Sequence, residues 1–207
     1  PQARHKGDLT KNIKVAFSTE ASAKLAAENG LGQMFVAGDD VDEMINKVQR
    51  FNKIRKDLGL PPDQPTTLLW MYCAETEEEA EEGWEYFYDQ LTAAQHHYFE
   101  WNNPGFDGIH GYEEYLERQT ADIGTADAGF AARRGTMPIG TPDQIIEKIK
   151  RLQKTISLEK IVVHVFYGGM PRDKAEKSLR LFAERVLPAV QAMPTPINPM
   201  SLGDPVR

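Results

Sequence analysis

Residues 160–171 read KIVVHVFYGGMP. Seven of these, IVVHVFY (residues 161–167), are almost all β-branched or aromatic, the composition of a strand covered on both faces. Period-2 alternation sends Val162, His164 and Phe166 to one side and Ile161, Val163 and Val165 to the other. Gly168, Gly169, Met170 and Pro171 turn the chain into a helix whose predicted apolar stripe is Ala175, Leu179, Phe182, Val186 and Val190. Upstream, TPDQ (residues 141–144) is a helix start, with Thr at the cap, Pro at the first helical position and Gln at the third. Ile145, Ile149 and Leu152 continue that helix's buried face. A strand set between two amphipathic helices is the repeating element of a β/α protein.

Working towards the N-terminus, the same alternation recurs. A strand is predicted at about 14–18, then a helix carrying Ala23, Ala26 and Ala27 with Gly30 at its C-cap. A second strand follows at about 33–38, then a helix marked by Met44, Val48, Phe51 and Leu58 and stopped by Gly59, Pro61 and Pro62. The third strand is TTLLWMYCA, residues 66–74. Thr76 with Glu79 then forms a capping box that opens a long helix reaching about His97. Residues 102–140 are polar and rich in Gly and Asp, with one short helical piece near 112–119. That is too long for an ordinary connection and predicts a lid-like or binding insertion.

Four alternations imply an α/β fold: four parallel strands with helices, and a long insertion after the third strand. Right-handed crossovers place successive strands side by side, in a curved segment of a barrel. Such a segment leaves two unpaired edges and an uncovered inner face, so a missing N-terminal half, another chain or a second copy is expected to complete it. The domain is expected over residues 1–193. The proline-rich tail, residues 194–207, is expected to lie along a surface or to be disordered. Pro1 is not an initiator methionine, which suggests a fragment or a processed product.

Composition narrows the classes of function. The chain has 207 residues, 41% of them hydrophobic, enough for one domain with a core. Its net charge of −7 would repel a polyanion, and no basic stripe interleaved with aromatics supports nucleic-acid binding. The acidic run from Glu75 to Glu82 reads as a solvated first helical turn. No apolar stretch approaches the about 18 residues of a membrane span. The single cysteine, Cys73, excludes an internal disulfide and suits a reducing, cytoplasmic setting. His96 and His97, adjacent on a helix, point about 100° apart, and no carboxylate–histidine spacing of the zinc type surrounds them, so no metal site is expected.

Three segments together carry a family resemblance: GTPDQIIEKIKRLQ (140–153), KIVVHVFYGGMP (160–171) and KAEKSLRLFAERVLP (174–188). They resemble the C-terminal signature of the bacterial luciferase-like flavin-dependent monooxygenases, and FSTEASAKLAAENGLG (17–32) resembles that family's fifth strand and following helix. The resemblance implies the C-terminal half of a (β/α)8 TIM barrel, the four strands being the fifth to the eighth. It implies reduced FMN, supplied by a separate flavin reductase, and dioxygen as co-substrate for oxygenation of a small organic substrate. A deazaflavin (F420)-dependent oxidoreductase of the same superfamily is the alternative, as is a truncated, non-catalytic flavoprotein or partner subunit. The family's first four strands carry much of the flavin contact surface and have no counterpart here, so the chain alone is not expected to be a competent enzyme.

Candidate site residues follow from position. Ser18, Thr19 and Ser22 stand where a strand ends and a helix begins, where free N–H groups and hydroxyls seat a phosphate. The bland reading is that Ser18 or Thr19 only caps the helix. The resemblance assigns these three residues the phosphate of FMN. Phe166 and Tyr167 fall near the C-terminal mouth, with Trp70 and Tyr72 late in the third strand. These aromatics either line a flavin or substrate pocket or pack in the core. His164 is either a proton donor near the flavin or a buried, hydrogen-bonded histidine. Cys73 has no base nearby in sequence to make it a nucleophile. Arg133 and Arg134, near the end of the insertion, either meet an anionic group as part of a lid or are surface arginines. The resemblance adds that the family's loop after the seventh strand shields the reduced flavin from water.

Overall fold

The computed structural model describes residues 10–17, 19–36, 41–98, 108 and 133–202. β1 (Lys14–Ala16), α1 (Glu20–Glu28), β2 (Gly32–Val36), α2 (Val41–Asp57) and β3 (Thr66–Trp70) alternate as the apolar spacing demands. β4 (Tyr72–Cys73), α3 (Glu77–Tyr98), β5 (Ile139–Gly140), α4 (Pro142–Ile156) and β6 (Lys160–His164) follow. The chain closes with α5 (Arg172–Leu181), a π-helical turn (Phe182–Val186), α6 (Leu187–Gln191) and α7 (Pro199–Leu202).

The main sheet has the order β1-β2-β3-β6, and every pairing is parallel. Strands adjacent in the β/α series are neighbours in space, the arrangement of consecutive units of a barrel. Val162 is 45% and Phe166 57% exposed, while Ile161, Val163 and Val165 pack towards Ile145, Ile149, Leu181 and Phe182. The alternation read from IVVHVFY is thus the one the chain adopts. One face is covered by helices, and the other presents apolar side chains to solvent.

The third strand departs from expectation. It does not run unbroken over 66–74. Met71 N–H donates to His164 O at 3.0 Å, and β6 ends there. Beyond that point Tyr72 and Ala74 donate to Pro138 O (3.1 Å) and Gly140 O (3.0 Å), so the backbone leaves one sheet to satisfy its groups in another. β4 and β5 form this separate parallel pair, and β5 comes from the end of the segment read as an insertion. The fourth strand is shorter than 160–167, ending at His164 before the turn at Gly168 and Gly169. The helical piece expected near 112–119 lies outside the described residues.

Two helix faces also shift. Leu58 is 44% exposed because α2 ends at Asp57. On α5 the buried line is Ala175, Ser178 and Leu181, leaving Leu179 42% exposed. Ser178 earns an interior position by polarity: its Oγ accepts Cys73 N–H at 2.8 Å. The π-helical turn then returns Phe182 and Val186 to the core. The tail, as far as residue 202, lies on the surface of α2 and α4. Asn52 donates to Ser201 O (3.0 Å), Gln49 to Met200 O (2.9 Å), and the Ser157 and Ser201 hydroxyls meet at 2.7 Å.

Candidate functional site

In parallel β/α folds ligands bind beyond the C-terminal strand ends. At that end β3 and β6 present Trp70 opposite His164, paired in register with ring centroids 6.2 Å apart. His164 is in turn 5.9 Å, centroid to centroid, from Tyr167. The row Trp70, His164, Tyr167 therefore spans the two strand ends. His164 is exposed on the open face of this chain, beside Val162 and Phe166.

α3 crosses the same rim. Phe87 packs edge-on against Trp70 (5.6 Å), and Gln90 Oε1 accepts Gly168 N–H at 3.2 Å. At Gly168 the chain needs a residue without Cβ: φ is +59°, and a Cβ would fall 1.9 Å from Tyr86 O. Two buried polar atoms at this rim, Trp70 Nε1 and Tyr167 Oη, have no hydrogen-bond partner among the described residues. Burial, with Tyr72 adding to it, raises the Tyr167 hydroxyl well above the ordinary tyrosine value, so it stays protonated and a donor. A buried donor left unmade costs about 1–3 kcal/mol.

At the end of β1, Thr19 caps α1 with extended backbone. Its Oγ1 accepts Ser22 N–H (3.3 Å) and donates to Ser22 Oγ (3.0 Å). Capping is therefore present as read. Because Ser22 Oγ accepts from Thr19, its own proton can be donated outward, and Ser22 is exposed. Ser18 lies outside the described residues. Hydroxyls over a helix N-terminus suit an anion, and the orphaned rim donors suit carbonyl oxygens of a flat heteroaromatic ring. The residues present fit a flavin-type cofactor, with a negatively charged tail and a flat ring, without singling out one such cofactor.

The other candidates lie behind the row or are held by their own partners. Tyr72 is buried against Gly83, where a Cβ would lie 2.4 Å from its ring, and it donates to Glu82 at 3.2 Å. Burial first, then Glu82, pushes its hydroxyl up. Arg134 is held in a bidentate pair with Glu81 (2.8 and 2.7 Å) and stacks 4.9 Å from the Trp84 ring, so its charge is already matched. Arg133 is half-buried, its carbonyl accepting Thr136 N–H at 3.0 Å. Cys73 is buried, its thiol pushed up to about 12 by burial and then Glu75, the wrong direction for a nucleophile.

Two groups escaped the sequence reading. Glu82, inside the acidic run, accepts from Lys174 (2.9 Å), Tyr86 (3.1 Å) and Tyr72 (3.2 Å) and ties α3 to α5 and β4. Lys148 lies 5.3 Å from the Trp84 ring and donates to Ile139 O at 2.7 Å. Burial, then Arg134, lowers it to about 8. Its only sequence signal is its place beside the buried Ile149. Among the described residues no group of three or more His, Cys, Asp or Glu could hold a metal, and no helix is long and apolar enough to cross a membrane.

With that geometry in place, comparison with known proteins identifies the class. The chain belongs to the luciferase-like monooxygenase family, whose sequence pattern matches residues 4–158. The match stops short of residues 160–188, which hold two of the segments that carry the resemblance. Monooxygenase RslO1 from Streptomyces bottropensis is 25% identical with a TM-score of 0.56, over 85% of this chain and 47% of its own. The oxygenating constituent of 3,6-diketocamphane monooxygenase from Pseudomonas putida, in complex with FMN, is 20% identical with a TM-score of 0.56, over 86% and 48%. EDTA monooxygenase from Chelativorans sp. BNC1 is 16% identical with a TM-score of 0.60, over 91% and 46%. The chain thus spans about half the length of these structures. No curated protein sequence matches it.

Proposed function

We propose that this chain is the second half of the barrel of a flavin-dependent monooxygenase that uses reduced FMN and dioxygen to oxygenate a small organic substrate. The observation that carries the reading is the row Trp70, His164, Tyr167, with its two orphaned donors, at the strand ends of a chain of this family. Reduced FMN, when bound, supplies two electrons, so that one oxygen atom enters the substrate and the other leaves as water. Thr19 and Ser22, with Ser18, bind its phosphate. Trp70 and Tyr167 donate to the ring system, and Phe166 with Val162 supplies an apolar wall that excludes water. His164 stands where a proton can be given or taken at the open face. Tyr72, Arg133 and Arg134 support the rim from behind.

A missing N-terminal half, or a second copy, completes the cylinder and the ring contacts, and a separate reductase delivers the reduced cofactor. The isolated chain binds the phosphate end without turning over. Anaerobic titration with reduced FMN and with reduced F420 tests the cofactor. Saturable binding of FMN alone supports the proposal, whereas saturation by F420 alone transfers the chain to the hydride-transferring oxidoreductases of the superfamily. A completed barrel that binds FMN and never oxygenates any substrate would instead make the chain part of a non-catalytic flavoprotein.

A further inference from the structure

On the helix side of the sheet, away from the rim row, a cleft of about 260 Å³ opens between α1 and α2. Its apolar wall includes Phe17 and Phe51, ring centroids 5.1 Å apart, with Ala23 and Ile54 beside them. Gln33, on the same side of β2 as the core residue Phe35, lines the cleft from the sheet and is only 2% exposed. Its backbone N–H is bound by Asp63 at 2.7 Å, but its carboxamide has no hydrogen-bond partner among the described residues. Lining the cleft, that carboxamide is available to bond a polar group of a guest.

Charge lies further out. Arg50 and Lys53, both exposed, line the cleft from α2 and make no ion pair among the described residues. Lys47 also lines it and is paired with Glu43 at 3.2 Å. The acids in the lining are Glu20, the first residue of α1, and Asp57, the last of α2, so the cations occupy the stretch between. Cationic mouth, aromatic walls and a polar floor together specify a guest: an anion at one end, a flat apolar body, and a hydrogen-bonding group at the other.

We propose that the α1–α2 cleft is a binding site for a small aromatic carboxylate carrying a polar group opposite the carboxylate. The carboxylate meets Arg50 and Lys53, the ring lies against Phe17 and Phe51, and the far polar group bonds the Gln33 carboxamide. The cleft shares Thr19 with the phosphate seat proposed above, but Gln33, Arg50 and Lys53 do not belong to that seat, and binding needs no turnover to be seen.

Calorimetric titration of the chain with 4-hydroxybenzoate, benzoate and 4-hydroxybenzyl alcohol tests it. We expect saturable binding of 4-hydroxybenzoate, with benzoate and the alcohol each about tenfold weaker, since each lacks one matched end. Gln33→Leu should erase the preference over benzoate alone. Arg50→Gln combined with Lys53→Gln should erase the preference over the alcohol alone. The proposal is overturned if 4-hydroxybenzoate does not saturate, if the three compounds bind alike, or if folded variants keep both preferences. The comparison of the three compounds on the unaltered chain stands even where a variant fails to fold.

Discussion

Trp70 and His164 are register partners across β3 and β6, their ring centroids 6.2 Å apart, and Tyr167 continues the row at 5.9 Å from His164. The Tyr167 hydroxyl in that row is buried and has no partner among the described residues. Tyr167→Phe removes the stranded donor while keeping the ring, so it should leave stability unchanged or raise it by about 1 kcal/mol. The same substitution should weaken FMN binding. Chemical denaturation together with a flavin titration checks both. A loss of stability with unchanged flavin affinity would make the hydroxyl purely structural.

Glu82 ties three elements together, and its carboxyl is held below the ordinary value of 4.5, chiefly by the hydrogen bond from Lys174. A depressed carboxylate contributes stability above 4.5 that is lost as pH falls through its lowered folded value. The pair is partly exposed, so the contribution is modest and salt-sensitive. Glu82→Gln should be less stable than the parent at neutral pH, with the gap narrowing below 4.5. Melts over a pH series would contradict this if the two proteins lost stability in parallel.

Cys73 is interior and its thiol is raised, so it should resist alkylation in the native state. Labelling with iodoacetamide should be slow in buffer and fast in denaturant. Rapid native labelling would show that β4 opens readily.

Gly168 has a positive φ against the backbone of Tyr86. Gly168→Ala should destabilise by at least about 1–3 kcal/mol, because strained backbone and a direct collision add together. A thermal shift indistinguishable from the parent would mean that α3 does not lie where it is described.

The strands and helices were legible because their periodicities are strong: IVVHVFY alternates cleanly, and TPDQ is a complete helix start. The split of the third strand was not, since Met71, Tyr72 and Cys73 are as apolar as the residues before them. Only the distant partners Pro138 and Gly140 explain why the backbone leaves. Leu179 misled for a related reason: ranking by hydrophobicity hides that Ser178 is needed inside to bond Cys73 N–H. Thr19 stands at the start of α1, after the first strand, as its place in the sequence implies, with Ser22 one turn on, and His164 shares the last strand's exposed side with Val162 and Phe166. Tyr72, although close enough to act on the Tyr167 hydroxyl, is turned to Glu82, and Arg134 is held by Glu81, both acids lying in the acidic run on α3. Side-chain partners distant in sequence leave no periodic trace.

In the proposed function, Thr19 and Ser22 hold a phosphate at the rim. Fluorescence titration with FMN and with riboflavin, which lacks only that phosphate, isolates the contribution. Charge-assisted hydrogen bonds of about 1.5–3 kcal/mol predict FMN binding at least about tenfold tighter. Thr19→Ala combined with Ser22→Ala should bring the two flavins level. Equal affinity for FMN and riboflavin in the unaltered chain would contradict the claim.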